Sequence, residues 1–229
     1  KSACVRLMGI GVPMGLQCSI TAIGSVIMQA AVNVLGSTAV AAVTAAGKTM
    51  GLLTVPLESI GTAMATYAGQ NLGAARMDRV RKGVNSALII AAIYAVASLI
   101  ILHYADIAIM GLFLDTAKEV EIVAMGRQYL FWNSVFFIPL GWLIVWRYSI
   151  QGLGFSSLAM LAGVAEMVAR TAVALALVPL LGYPGAIMAN PAAWVAACLF
   201  LYPAYIWTCR QLDNRLLAAK LHMQSSRAE

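Results

Sequence analysis

Six apolar segments follow one another along the chain, and each is long enough to cross a lipid bilayer as a helix. A hydrocarbon core needs ~20 helical residues, and the segments cover residues 9–34, 38–66, 84–103, 123–146, 156–180 and 184–207. Backbone groups inside lipid must find hydrogen-bond partners within the protein, and a helix provides them within a single segment. The sequence therefore predicts an all-α integral membrane protein whose six transmembrane helices form one bundle.

The composition excludes a water-soluble globule. Hydrophobic residues make up 62% of the 229 residues and charged residues only 10%, whereas a soluble domain has about 25% charged residues. The net charge of +6 does not indicate nucleic-acid binding, because the Lys and Arg residues lie between apolar segments rather than along one basic face. We therefore expect a lipid bilayer as the surroundings and no nucleic-acid partner.

Basic residues are concentrated on one side of the predicted membrane. They occupy both chain ends and the loops after the second and fourth segments: Lys1, Arg6, Arg76, Arg79, Arg81, Lys82, Arg147, Arg210, Arg215, Lys220 and Arg227. In this interpretation, the loop after the fourth segment begins at Arg147. The opposite side holds Lys118 and Arg127. The positive-inside rule then predicts a multi-pass protein of the cytoplasmic (inner) membrane with both termini in the cytoplasm.

Polar side chains recur every four residues in the first segment. They are Gln17, Thr21, Ser25, Gln29 and Asn33. Each step of four residues turns a helix by about 40°, so the set winds slowly around one side. Lipid cannot satisfy these groups, so they face either neighbouring helices or a wet cavity. The sequence leaves both interpretations open, and Gln17, Gln29 and Asn33 are the better candidates for a cavity that a substrate or ion enters.

Charged residues inside a span are costly and are therefore candidates for function. Lys48 lies ~15 Å from the start of the second span, among Ala and Gly residues that let another helix approach closely. Glu166 and Arg170 lie four residues apart in the fifth span, so they share a face and can pair. Their spacing fits a structural ion pair or a place in a substrate or proton pathway. Asn133, with its neighbour Ser134, is a further candidate for the same polar interior.

The sequence contains no recognisable set of catalytic or metal-binding residues. The four cysteines are dispersed without a Cys-x-x-Cys pair, and the two histidines have no ligand partner nearby in the sequence. No H-E-x-x-H helix and no pairing of a nucleophile with a base occurs in a plausible site. We therefore expect neither enzymatic activity nor a cofactor, and no metal ligands.

Several stretches together resemble the multidrug and toxin extrusion (MATE) family. They are GIGVPMGLQCSITAIG and NVLGSTAVAAVTAAGKTMGL, then ESIGTAMATYAGQNLGAARMDRVRKG, RYSIQGLG, LAGVAEMVAR and MANPAAWVAA. The resemblance extends over nearly the whole chain. Its most specific part is the end of the second span, with GQNLGA and the basic loop that follows.

The resemblance implies a fold, an activity and a partner. Members of this family are similar in having twelve helices in two six-helix bundles, and they export cationic or amphipathic small molecules by alternating access in exchange for H⁺ or Na⁺. This chain resembles the second, C-terminal bundle. Its implied partner is therefore an N-terminal six-helix half that this sequence lacks.

One departure from the family pattern concerns the coupling ion. In the sodium-coupled branch, the first and fourth helices of the second bundle contribute acidic residues. Here the first span offers only amides and hydroxyls, and the fourth offers Asn133 and Ser134. No coupling residue is therefore transferred to this chain.

Two alternatives to drug export accompany this interpretation. A lipid-linked oligosaccharide flippase has the same two-bundle plan, and it differs in the kind of substrate it moves. A non-transporting membrane scaffold or subunit belongs to another class, and it differs in showing no substrate-stimulated ion flux.

Overall fold

Helices make up almost all of the described structure. The computed structural model describes the backbone of residues 2–111 and 119–228, and the side chains of these residues except 2–7, 10, 220 and 222–228. The helices are α1 (Ser2–Asn33), α2 (Ser37–Gly73), α3 (Met77–Met110), α4 (Val120–Val135), α5 (Phe137–Gly152), α6 (Ser156–Ala172), α7 (Val178–Leu181), α8 (Tyr183–Ile187) and α9 (Ala189–Ala228). A π-helical turn, Val173–Leu177, joins α6 to α7. The predicted all-α fold class is confirmed.

Five helical stretches are each long and apolar enough to cross a membrane: Gly11–Asn33, Ser37–Gly73, Met77–Met110, Ser156–Leu181 and Tyr183–Ala219. The pair α4 and α5 makes a sixth crossing when it is counted as one bent span. Several helices continue past the apolar segments seen in the sequence, because polar residues near a membrane surface still propagate a helix.

The bend between α4 and α5 has an identifiable cause. The two helix axes differ by 52°, and Phe136 separates them. Pro139 lies just beyond the break. Proline lacks an N–H, and its ring clashes with the carbonyl four residues earlier, which here belongs to Val135, the last residue of α4. By contrast, α2 runs as one helix through Pro56.

The helices form one bundle around a shared apolar core. Helix α1 packs mainly on α6, which also packs on α9, while α2 packs on α3, α4 and α5. Fully buried side chains from different helices meet in this core, among them Leu57, Leu130, Phe137, Ile144 and Leu201. Because α1 packs on α6 rather than along α2, the second helix keeps one face uncovered.

The outer face of α3 is apolar. Its exposed side chains include Ile89, Ile90, Ile93, Ile100 and Ile101, each at least half exposed. Such a surface is costly in water and neutral in lipid. This face of the bundle therefore contacts the bilayer.

Candidate functional site: a polar face on the bundle

Helix α2 carries a polar face that the rest of the bundle leaves uncovered. We call its exposed polar residues the α2 polar strip; they are Thr44, Lys48, Glu58, Ser59, Thr62 and Thr66. At about 100° per residue, they fall within an arc of roughly 100° on one side of the helix. The opposite side holds the buried residues, including Ala42, Ala46, Leu57 and Met64. The strip therefore faces away from the core of this bundle.

Helix α1 adds its own polar residues beside the beginning of α2. Ser25, Gln29 and Asn33 are all exposed, and the Nε2 of Gln29 donates to Oδ1 of Asn33 at 3.1 Å. An open groove of about 570 Å³ lies where the two helices meet, and both Asn33 and Lys48 line it. Two of the predicted candidates, one from each span, are thus brought to one place.

A second groove, of about 450 Å³, continues the strip along α2. Its lining includes Thr54, Glu58, Ser59 and Thr62. The carboxylate of Glu58 accepts a 2.6 Å hydrogen bond from the hydroxyl of Tyr148 on α5. An acidic group therefore lies ten residues beyond Lys48 on the same face.

Three hydroxyl groups of the strip, those of Ser59, Thr62 and Thr66, are satisfied within their own helix. Ser59 donates to the carbonyl of Val55 at 3.0 Å, and Thr62 donates to the carbonyl of Ser59 at 3.0 Å. Such bonds let Ser and Thr face lipid at small cost. A charged group costs more than a hydroxyl when it faces lipid. Lys48 and Glu58 are therefore the residues that require the strip to face protein or water.

Gln17 lies apart from the strip. Its side chain is buried, and its Oε1 accepts a 2.7 Å hydrogen bond from Nε2 of Gln151 on α5. Of the two interpretations of the α1 polar residues, this position fits interhelical bonding rather than a cavity wall. Thr21, the next residue of the row, is partly buried, and its hydroxyl has no hydrogen-bond partner within the described structure.

A buried charge cluster joins α5 to α6. Glu166 is 3% exposed; one of its carboxylate oxygens accepts a hydrogen bond from Arg147, and the other lies 3.4 Å from Nη2 of Arg170. The predicted pairing of Glu166 with Arg170 is present, but it is the looser of the two contacts. Two guanidinium groups thus share one carboxylate.

The cluster continues as a chain of polar contacts to α9 and α4. Nε of Arg170 lies 3.5 Å from Oδ1 of Asn190, whose Nδ2 donates to the hydroxyl of Tyr129 at 2.8 Å. Asn133, one turn after Tyr129 on α4, is fully buried and donates to the carbonyl of Tyr129 at 2.9 Å. The candidates Asn133, Glu166 and Arg170 therefore lie in the bundle interior, separate from the α2 polar strip.

The prediction that a loop begins at Arg147 is wrong. This residue lies in the interior of α5, which continues to Gly152, and its side chain is buried against Glu166. The apolar run ends at Trp146, but helical structure does not end there. One signal was present in the sequence: Arg147 and Gln151 are four residues apart, as expected for polar groups on one helix face.

The described residues contain no group of three or more His, Cys, Asp or Glu side chains placed to hold a metal ion. The chemistry of the site is therefore that of the α2 polar strip and the buried charge cluster. The bundle thus combines an apolar surface suited to lipid with one uncovered polar face, which needs contact with protein or water.

Comparison with known sequences identifies the family. The family model MatE matches residues 13–176, which is more than half of the chain. The chain therefore belongs to the MatE family, as its motifs predicted.

Two proteins of Bacillus subtilis (strain 168) are similar to part of the chain. Probable multidrug resistance protein YpnP is 30% identical over 135 residues, which cover 59% of this chain and 30% of YpnP. Probable multidrug resistance protein YoeA is 23% identical over 137 residues, which cover 60% of this chain and 30% of YoeA.

Solved transporter structures share the fold. A crystal structure of MATE in the bent conformation superposes with a TM-score of 0.80 at 15% identity, over 96% of this chain and 48% of that one. A second structure, of a MOP superfamily transporter from Pyrococcus furiosus, superposes with a TM-score of 0.74 at 20% identity, over 86% of this chain and 43% of that one. That transporter is described as having a binding pocket of reversed polarity. The chain therefore spans about half the length of these transporters.

Proposed function

We propose that this chain is the C-terminal half of a cation-coupled exporter that expels cationic or amphipathic compounds by alternating access. The observation that carries the proposal is the α2 polar strip, which holds two charged residues on the uncovered face of a bundle whose α3 face is apolar. A charged face of this kind needs either water or a second protein surface. An N-terminal six-helix half, placed against the strip, supplies both by enclosing a wet central cavity.

The coupling ion is H⁺ or Na⁺, and we assign the coupling acid to the other half. Two described acids, Glu58 and Glu166, lie within the apolar segments of the sequence, and both already have partners here. Glu166 is held by two arginines, and Glu58 accepts a hydrogen bond from Tyr148. Apart from the coupling ion, this mechanism uses no cofactor.

Lys48→Leu provides the test of the proposal. Leucine resembles the aliphatic part of the lysine side chain but removes the positive charge from the groove between α1 and α2. In drug-sensitive cells that produce the chain together with the N-terminal half, we expect the variant to insert normally and to export a fluorescent cationic dye about tenfold more slowly. This factor corresponds to the loss of one charge-assisted contact. The rate of dye efflux and the amount of the chain in the membrane are measured in the same cells.

Two controls make this result specific. Lys82→Leu removes an equal charge from an exposed position at the start of α3, outside the grooves, and should leave efflux unchanged. The chain produced alone should export nothing. Normal efflux by the Lys48 variant contradicts the assignment of the strip to the pathway, and the absence of efflux from the paired wild-type halves favours a scaffold instead.

The orientation follows from the distribution of basic residues. We place both termini and the loop before Met77 in the cytoplasm, with the beginning of α4 outside the cytoplasmic membrane. In a background without the native cysteines, a cysteine at Glu121 should react with an impermeant maleimide added to whole cells. A cysteine at Arg79 should react only after the membrane is opened. Both positions are exposed, so the reverse pattern would invert the topology.

A further inference from the structure

A polar groove lies on α9 beyond its apolar part. It has a volume of about 510 Å³ and is lined by Trp207, Arg210, Gln211, Asn214, Arg215 and Ala218. These residues follow one another at helical spacing and share one face. The lining contains two arginines and no carboxylate, so the groove carries excess positive charge.

The position of the groove along α9 matches the membrane surface. From Ala189, where α9 begins, to Trp207 the helix rises about 27 Å, close to the ~30 Å thickness of a hydrocarbon core. Trp207 is 51% exposed, as is typical of a tryptophan at the interface. Arg210 lies about one turn farther on, at the depth of lipid headgroups.

The loop between α5 and α6 packs against α9 beside this groove. Gly154 has a φ of 90°, which a residue with a side chain rarely adopts, and it turns the chain so that Phe155 reaches α9. The rings of Phe155 and Trp207 meet edge to face at 5.7 Å, and Cζ of Arg215 lies 5.8 Å from the centre of the Phe155 ring. This contact positions the guanidinium group of Arg215 beside the groove before any ligand binds.

The charges of the groove are not neutralised within the described part of the chain. Asp213, on another side of α9, pairs with Arg81 of α3. Neither Arg210 nor Arg215 takes part in an ion pair there. The positive charge is thus available to a ligand at the membrane surface.

We propose that this groove binds the phosphate headgroup of one anionic phospholipid. The guanidinium groups of Arg210 and Arg215 hold the phosphate, since their planar forks match its oxygens. Gln211 and Asn214 offer amides to the headgroup hydroxyls, and the acyl chains extend past Trp207 toward the apolar part of α9. A headgroup with its own positive charge binds less well, because the lining has no carboxylate to receive it.

Native mass spectrometry of the purified chain tests the proposal. The chain is released from micelles that contain equal amounts of phosphatidylglycerol and phosphatidylcholine, and the retained lipids are counted. We expect the wild type to retain phosphatidylglycerol about tenfold more often, and Arg210→Gln with Arg215→Gln to lower this preference to near one. Arg215→Lys, which keeps the charge but loses the planar fork, should give an intermediate preference.

The matched control is Arg79→Gln with Lys82→Gln, which removes the same charge from exposed positions on α3 and should keep the preference. If the control variant loses as much of the preference for phosphatidylglycerol as the groove variant does, the attraction is diffuse and the groove is not a binding site. A preference that survives in the groove variant also overturns the proposal. Inorganic phosphate is added in a parallel sample; displacement of the lipid at millimolar phosphate would make this a site for free anions instead.

Discussion

Glu166→Gln should destabilise the bundle more than any other single change of charge. The substitution keeps the size of the side chain but removes the carboxylate that Arg147 and Arg170 share. Breaking a buried ion pair by removing one partner costs about 3–5 kcal/mol, because the remaining charge is left uncompensated. Here two arginines lose their partner together. We expect a large loss of folded chain, measured as the monodisperse fraction after heating in detergent.

Removing an arginine as well should restore part of the stability. Glu166→Gln combined with Arg147→Gln leaves Arg170, which still lies 3.5 Å from Asn190, and it returns the cluster to its original net charge. Glu121→Gln is the control, because Glu121 is exposed and such positions contribute little. Additive losses in the double variant would show that Arg147 and Glu166 do not interact, contrary to the structure.

Gly152→Ala is the second change from which we expect a large effect. A Cβ at this position would lie 2.8 Å from the Cα of Ala65 and closer still to its carbonyl oxygen. The neighbour is backbone of α2, so no side chain can rotate away, and the two helices must separate. We expect a cost of ~3 kcal/mol, seen as a lower temperature of aggregation in detergent.

Gly47→Ala is the matched control for this prediction. Gly47 also lies within a helix, but a Cβ there would meet nothing within 4 Å. Alanine favours a helix over glycine by up to about 1 kcal/mol, so this variant should be as stable as the wild type or more so. Equal stability of the two alanine variants would contradict the close contact between α2 and α5.

Hydropathy was sufficient to predict the helical fold, because each span must satisfy its own backbone within lipid. Periodicity also served well within a single helix: Lys48 shares the exposed face of α2 with Thr44 and Thr62. Periodicity did not predict which residues of different helices contact each other. Gln17 bonds to Gln151, which is 134 residues away, and nothing in either local sequence specifies that distance.

The end of the fourth span shows why boundaries in such sequences are uncertain. Arg147 looks like the first residue of a basic loop, because a charge after an apolar run usually marks the membrane surface. In the structure, Glu166 of the next helix compensates that charge inside the bundle. A charge can therefore lie within a span when its partner comes from another helix, and a single helix does not reveal that partner.

The polar bonds between helices also determine whether parts of this bundle can move separately. Gln17 ties α1 to α5, Arg147 ties α5 to α6, and Arg170 ties α6 to α9. Shifting any of these helices against its neighbour would break a buried polar contact, which is costly where no water replaces it. Further bonds join α2, α3 and α4 to these helices: Tyr148 donates to Glu58, Arg81 pairs with Asp213, and Asn190 donates to Tyr129. We therefore expect the described bundle to turn as one rigid body in the proposed transport cycle, with the uncovered face of α2 as its sliding surface.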